Sequence, residues 1–223
     1  MKRDAAAQHG FTLLEIIVVL AVLGALVAIL SPIGFGYIED SNIRRTQVDV
    51  ERLAIAINKM YGDTSRWPFY ADGDGANAYT SGTDAALLTS NAVCAGGICT
   101  DSSLPEDDTA GDAWALGSSK IDNIGNQLVT NTPFGSTDAD KDYATIGAKA
   151  WKGPYVDGLA TTDPWQNSLI VNVRNLDPSV AFGSLKWVIV ISSGPNGRLE
   201  TSPEILMTAN PAAGGDDIVA RVR

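Results

Sequence analysis

Histidine is almost missing from this chain: His9 is the single one among 223 residues. It lies within the first ten positions, so loss of those ten would leave no imidazole at all. A Ser-His-Asp or Cys-His nucleophile and a histidine-ligated metal would then be excluded. Carboxylate pairs could still serve acid–base chemistry, but no spacing places two of them in one cleft. The chain therefore reads as no enzyme. Cysteine is scarce too, with Cys94 and Cys99 in CAGGIC. Two thiolates fall short of the four ligands of a structural zinc site. A disulfide-closed loop in an oxidising compartment is the preferred reading, with two free thiols as the alternative. Basic residues are outnumbered, 16 Lys and Arg against 26 Asp and Glu, for a net charge of −10. Phosphate binding needs a basic surface, so no nucleic-acid partner is expected.

What is present is unevenly spread. Hydrophobic residues make up 45% of the chain and charged residues 19%, a globular balance, yet the first forty positions hold much of the apolar share. From Ile16 to Leu30 no residue is charged. Residues 11–33 supply the ~20 needed to cross a bilayer as a helix. Lys2 and Arg3 precede the run and no basic residue follows until Arg44, which orients the N-terminus to the cytoplasm and the bulk outside. One residue spoils the pattern. Glu15 stands near the front of the run, where an unpaired charge at a helix centre costs ~2.5 kcal/mol or more. A secretory signal peptide lacks a reason for Glu15 and a small-residue cleavage site in AILSPIGFG.

The stretch QHG-FTLLEIIVVLAVLGALVA resembles the class III leader of type IV prepilins and type II secretion pseudopilins. The resemblance implies that a prepilin peptidase cuts after Gly10 and N-methylates Phe11. Gly24 and Pro32 match the family's helix-loosening glycine and proline kink. It also implies a partner for Glu15, the α-ammonium created on Phe11, in the same or a neighbouring subunit. A paired charge recovers much of its burial cost.

Past Pro32 the helix is expected to resume. Thr46, Val50, Leu53, Ile57 and Met60 step by four and three along one face, while Arg44, Arg45, Glu51, Arg52 and Lys59 fall mostly elsewhere. Gly62 is the expected stop. Residues 63–150 form a polar insertion with the cysteine loop and two short helix candidates, TDAALLTS and KIDNIGNQLVTN. The acidic stretches ADGDGAN and that of Asp138, Asp140 and Asp142 miss the EF-hand template and read as solvated turns. Residues 151–223 supply β-branched runs, NSLIVNV, KWVIVISS and DIVARVR, expected as antiparallel strands. The fold class is α+β: a long N-terminal helix, transmembrane and then amphipathic, packed on a small antiparallel sheet in the manner of type IV pilins.

A second resemblance covers the C-terminal part. Asp163, Pro164 and Trp165, the loop Ser192-Ser193-Gly194-Pro195-Asn196-Gly197, and the pair Asp216 and Asp217 are similar to the major pseudopilin of type II secretion. It implies one Ca²⁺, held here by Asn196, Asp216, Asp217, the carbonyls of Ser193 and Arg198, and more weakly Thr201. Hard oxygen ligands suit that ion, and it would relieve two adjacent like charges. Asn196 replaces the family's aspartate, and LETSPEILMTANPAAGG separates the ligand groups more widely than usual. The implied function is a structural subunit that polymerises through its N-terminal helix into a helical homo-oligomer, a periplasmic filament that drives secretion. Its expected partners are prepilin peptidase, an inner-membrane assembly platform and minor pseudopilins. The alternatives are a surface pilus subunit or minor pilin serving adhesion, motility or DNA uptake, and a membrane-anchored periplasmic binding domain.

Overall fold

The computed structural model describes residues 11–69, 84–95, 97–109, 111, 113–117, 120–137, 142–177, 185–209 and 212–222. The leader with Gly10, the ADGDGAN stretch, Asp138 and Asp140 lie outside them. The chain divides into two compact units, Met1–Asn42 and Ile43–Arg223.

Helix α1 runs over Leu13–Thr64, and its backbone stays helical through Gly24 and Pro32. The ring of Pro32 lies outside the described atoms. In the first unit every described helix residue up to Leu30 is exposed. Its stretch Leu13–Leu30 has no buried residue and is long and apolar enough to cross a membrane.

In the second unit the same helix is amphipathic. Thr46, Val50, Leu53, Ile57 and Met60 are all buried, while Arg44, Arg45, Glu51, Arg52 and Lys59 are exposed. That is the stripe expected from the 3.6-residue period. The helix ends at Thr64 rather than at Gly62. A glycine costs a helix interior only about 1 kcal/mol, and the stop is built two residues later. There the Thr64 hydroxyl donates to the Met60 carbonyl at 2.8 Å and accepts from the Arg66 amide at 3.1 Å, beside Ser65 at φ 57°.

The strands are β1 (Leu87–Thr89), β2 (Val93–Ala95), β3 (Ile98–Thr100), β4 (Glu106–Asp107), β5 (Ile121–Asn123), β6 (Ile170–Val171), β7 (Ile189–Ser192), β8 (Arg198–Leu199) and β9 (Ile218–Arg221). Five of them form one sheet in the order β5-β1-β6-β7-β9. The α+β class is as expected, but the sheet is mixed. β6, β7 and β9 join antiparallel, as does β1 with β6, whereas β1 and β5 run parallel. The parallel pair comes from the insertion, where the first expected helix gives way to a strand and the second is helical only in its later part, over residues 124–130. TDAALLTS holds β1, fully buried, and KIDNIGNQLVTN holds β5 followed by one wide helical turn, Asn126–Thr130. Ala and Leu favour a helix locally, but β1, bordered by β5 and β6, gains more from their ladders and from burial on both faces.

Side chains alternate across the sheet as the pleat requires. Leu88, Val171, Val188 and Val190 meet the helix residues Val50, Leu53, Ile57 and Met60 on one face. Leu87, Ile170, Ile189 and Ile191 meet Trp114 and Leu199 on the other. A sheet covered on both sides explains why β7 is buried at every position. The second cover comes from the insertion, with Trp114 fully buried and its indole donating to the Thr201 carbonyl at 2.9 Å.

Candidate functional site

In the N-terminal unit, Thr12 and Glu15 form a polar constellation. Thr12 sits just ahead of α1, and its hydroxyl accepts the Glu15 amide at 3.2 Å, while the Glu15 carboxylate accepts the Thr12 amide at 3.2 Å and its hydroxyl at 3.3 Å. Thr-Leu-Leu-Glu is thus a capping box: a hydroxyl and a carboxylate three residues apart satisfy each other's free amides at a helix start. A negative side chain in the first turn also suits the helix dipole. All the contacts on the carboxylate use Oε2, so Oε1 stays open to a second partner. Phe11 is 81% exposed immediately before the box. The sequence pointed to Glu15 and Phe11 but missed Thr12, although the Thr-x-x-Glu spacing signals it.

The matching family model covers residues 6–31, and its description is the prokaryotic N-terminal methylation motif. The chain carries a prepilin-type N-terminal signal. Such a signal implies processing by a prepilin peptidase and assembly into a filament, and the apolar helix behind it suits anchoring in a membrane. No curated protein and no solved structure matches the chain.

In the second unit, the loop after β7 and the segment before β9 close on each other. Gly194 makes this possible, because a Cβ there would lie 2.3 Å from the Asp216 carbonyl oxygen. The Asp216 carboxylate accepts the Asn196 amide at 3.0 Å, and the Asn196 side-chain oxygen accepts the Arg198 amide at 2.7 Å. Oδ2 of Asp217 accepts the amides of Glu200 at 2.9 Å and Thr201 at 2.6 Å. The structure therefore brings Asn196, Arg198, Thr201, Asp216 and Asp217 together, with Ser193 buried at the end of β7. The Thr201 hydroxyl accepts the Gly214 amide at 2.8 Å and also lies beside the Asp217 carboxylate, whose charged form it favours. The Arg198 guanidinium turns outward to Glu106 at 2.9 Å and Asp108 at 3.3 Å.

Three oxygens in this region are buried without a hydrogen-bond partner: Ser193 Oγ, Asp216 Oδ1 and Asp217 Oδ1. An unpaired buried acceptor costs about 1–3 kcal/mol, more when charged. Burial holds the Asp217 carboxyl above the usual range, against the pull of its hydrogen bonds, and the Glu200 charge adds to the rise. An all-oxygen donor set with unspent lone pairs suits a hard divalent cation.

The Asp-Pro-Trp turn braces this loop. Asp163 accepts the amides of Trp165 at 3.0 Å and Asn167 at 2.9 Å on one oxygen and the Ser192 hydroxyl at 2.7 Å on the other. The insertion braces it from outside, since β4 pairs in parallel with β8 and the Glu106 amide donates to the Gly197 carbonyl at 3.1 Å.

A second cluster lies around the cysteines. Cys94 and Cys99 are joined in a disulfide across the β2–β3 hairpin. Their sulfurs lie 3.5 and 3.6 Å from Oδ1 of Asp122, which is fully buried. Among the described residues these three form the acid-or-cysteine group with ligand atoms within 4.8 Å of one another. Disulfide sulfurs are not thiolates, so the group is no thiolate metal centre. Burial pushes the Asp122 carboxyl up, while the amides of Asn123 and Phe134 and the side chains of Asn126 and Gln127 donate to it.

Proposed function

We infer that the chain is the major pseudopilin of a type II secretion system, a structural subunit that catalyses nothing itself. The prepilin peptidase cuts after Gly10 and methylates Phe11, and the processed helices pack into a periplasmic filament. An inner-membrane platform and minor pseudopilins assist, and filament growth drives secretion. The observation that carries the reading is the methylation motif at residues 6–31 with Glu15 held at the helix start by Thr12. With Oε1 uncommitted, Glu15 can bind the Phe11 ammonium made by cleavage, in its own chain or the next. The charge is then satisfied by neighbours of the kind a growing filament supplies.

Calcium belongs to this reading. Asp216, Asp217 and Asn196, with the carbonyls of Ser193 and Arg198, would hold the ion, and Thr201 would position the segment around it. When bound, the ion supplies charge neutralisation and a cross-link between two loops. Because it binds the folded head, it stabilises that head by mass action.

The mass of the purified N-terminus tests the assignment. A start at methylated Phe11 is expected, while an intact Met1 or a cut near Ser31 would overturn it. A surface pilus subunit or minor pilin is the second reading, favoured by the disulfide hairpin with Val93 and Ile98 about 70% exposed. Cellular abundance separates them, because a major subunit is made in excess.

A further inference from the structure

We propose that Glu200 is a third carboxylate ligand for the cation of the β7–β8 loop, supplying the negative charge that position 196 lacks. The inference rests on the calcium reading above. Glu200 follows β8, and its side chain folds back into the opposite segment. A Cβ on Gly215 would lie 1.4 Å from Glu200 Oε2, so only glycine leaves room for the carboxylate there. In that place Oε2 accepts the Asn196 side-chain amide at 3.2 Å and the Asp216 backbone amide at 3.3 Å.

The two residues are complementary in charge. An aspartate at 196 would set a second carboxylate against Glu200 at hydrogen-bonding distance, whereas an amide donates to it. Asn196 and Glu200 together carry the single negative charge that an aspartate at 196 would have carried alone, moved four residues along the chain.

A separate observation points to a ligand. Asp217 is 6% exposed and its Oδ1 has no partner, although Oδ2 takes two amides. Ser193 is fully buried and its hydroxyl is also unpartnered. Among the described residues, no ion pair engages Glu200, Asp216 or Asp217. The nearest basic side chain in sequence, Arg198, is committed to Glu106 and Asp108. Three carboxylates with no basic partner repel one another, and a divalent cation removes that repulsion while filling the open lone pairs. Glu200 is exposed and has the longest side chain of the three, which suits it to close over an ion arriving from solvent.

The test is Ca²⁺ binding by the full chain in detergent, measured by equilibrium dialysis with radioactive Ca²⁺ and by thermal unfolding with and without the ion. The wild type is expected to bind one Ca²⁺. Glu200→Gln is expected to weaken binding by about tenfold or more. Adding Asn196→Asp to that variant should restore it, which a merely structural role for Glu200 would not do. Circular dichroism checks folding, and Glu200→Asp, which keeps the charge but shortens the reach, replaces Glu200→Gln if that variant is unfolded. Wild-type affinity in the single variants, or no rescue in the double, overturns the inference and leaves the calcium reading standing. No Ca²⁺ uptake by the wild type overturns both.

Discussion

The two units use the same kind of structure to opposite ends. Before residue 42 the helix shows every described side chain from Phe11 to Leu30 to its surroundings, and the polar contacts of Thr12 and Glu15 form a ring closed within four residues. After Ile43 the helix buries one face against a sheet whose strands come from distant parts of the chain. The first segment is a surface looking for a partner, lipid or another helix. The second is already partnered. Stability of the head therefore resides in its two-sided sheet, and the N-terminal run adds little to it.

The largest effect is expected where the insertion covers the sheet. Trp114→Ala should cost the head about 3–5 kcal/mol, the range for emptying a buried aromatic site, read from thermal unfolding of the full chain. Leu53→Ala on the opposite face should cost about 2–5 kcal/mol. If instead Leu23→Ala, in the exposed run, lowered the same transition as much, the contrast between the units would collapse.

A smaller loss is expected at Asp122. Four N–H groups converge on its carboxylate, so Asp122→Asn turns an NH₂ toward donors and should cost about 1–3 kcal/mol. Denaturant midpoints measure this. Glu15→Ala should sharpen the comparison from the other side. It removes half of a capping box, worth about 1 kcal/mol of local helix stability, and should leave head unfolding, insertion and cleavage unchanged while filaments fail to form. Normal filaments from that variant would remove the role given to Glu15.

The smallest effect concerns pH. Asp63 lies 2.9 Å from Lys152, and this hydrogen-bonded ion pair holds its carboxyl below the usual aspartate range. A depressed carboxyl adds stability above the unfolded value of about 4, and that gain is lost as pH falls through the folded value. Wild type and Asp63→Asn should therefore differ slightly in melting temperature at pH 7 and converge in strong acid. A gap that widened on acidification would show the sign to be wrong.

How much of this was written locally can be judged element by element. The buried stripe from Thr46 to Met60 was legible because a helix repeats every 3.6 residues and a face on a core must stay apolar. The C-terminal strands were legible from β-branched runs, though their ladders are shorter than the runs. β1 was not, because Leu87–Thr89 is decided by partners at residues 121–123 and 170–171, which no local window contains. Glu200 escaped for the same reason. Its sequence neighbours say nothing of Gly215, the residue whose missing side chain admits it.

By itself the sequence determined the processing signal, the membrane-length helix and its amphipathic continuation, since each depends on contacts within a few residues or on composition over one segment. Only the tertiary structure decided that the insertion completes the sheet and covers its second face. It alone placed Asp122 under the disulfide, and Glu200 beside Asn196 and Asp216. Those arrangements join residues tens of positions apart, and their energies come from burial and shared hydrogen bonds that exist only once the chain has closed.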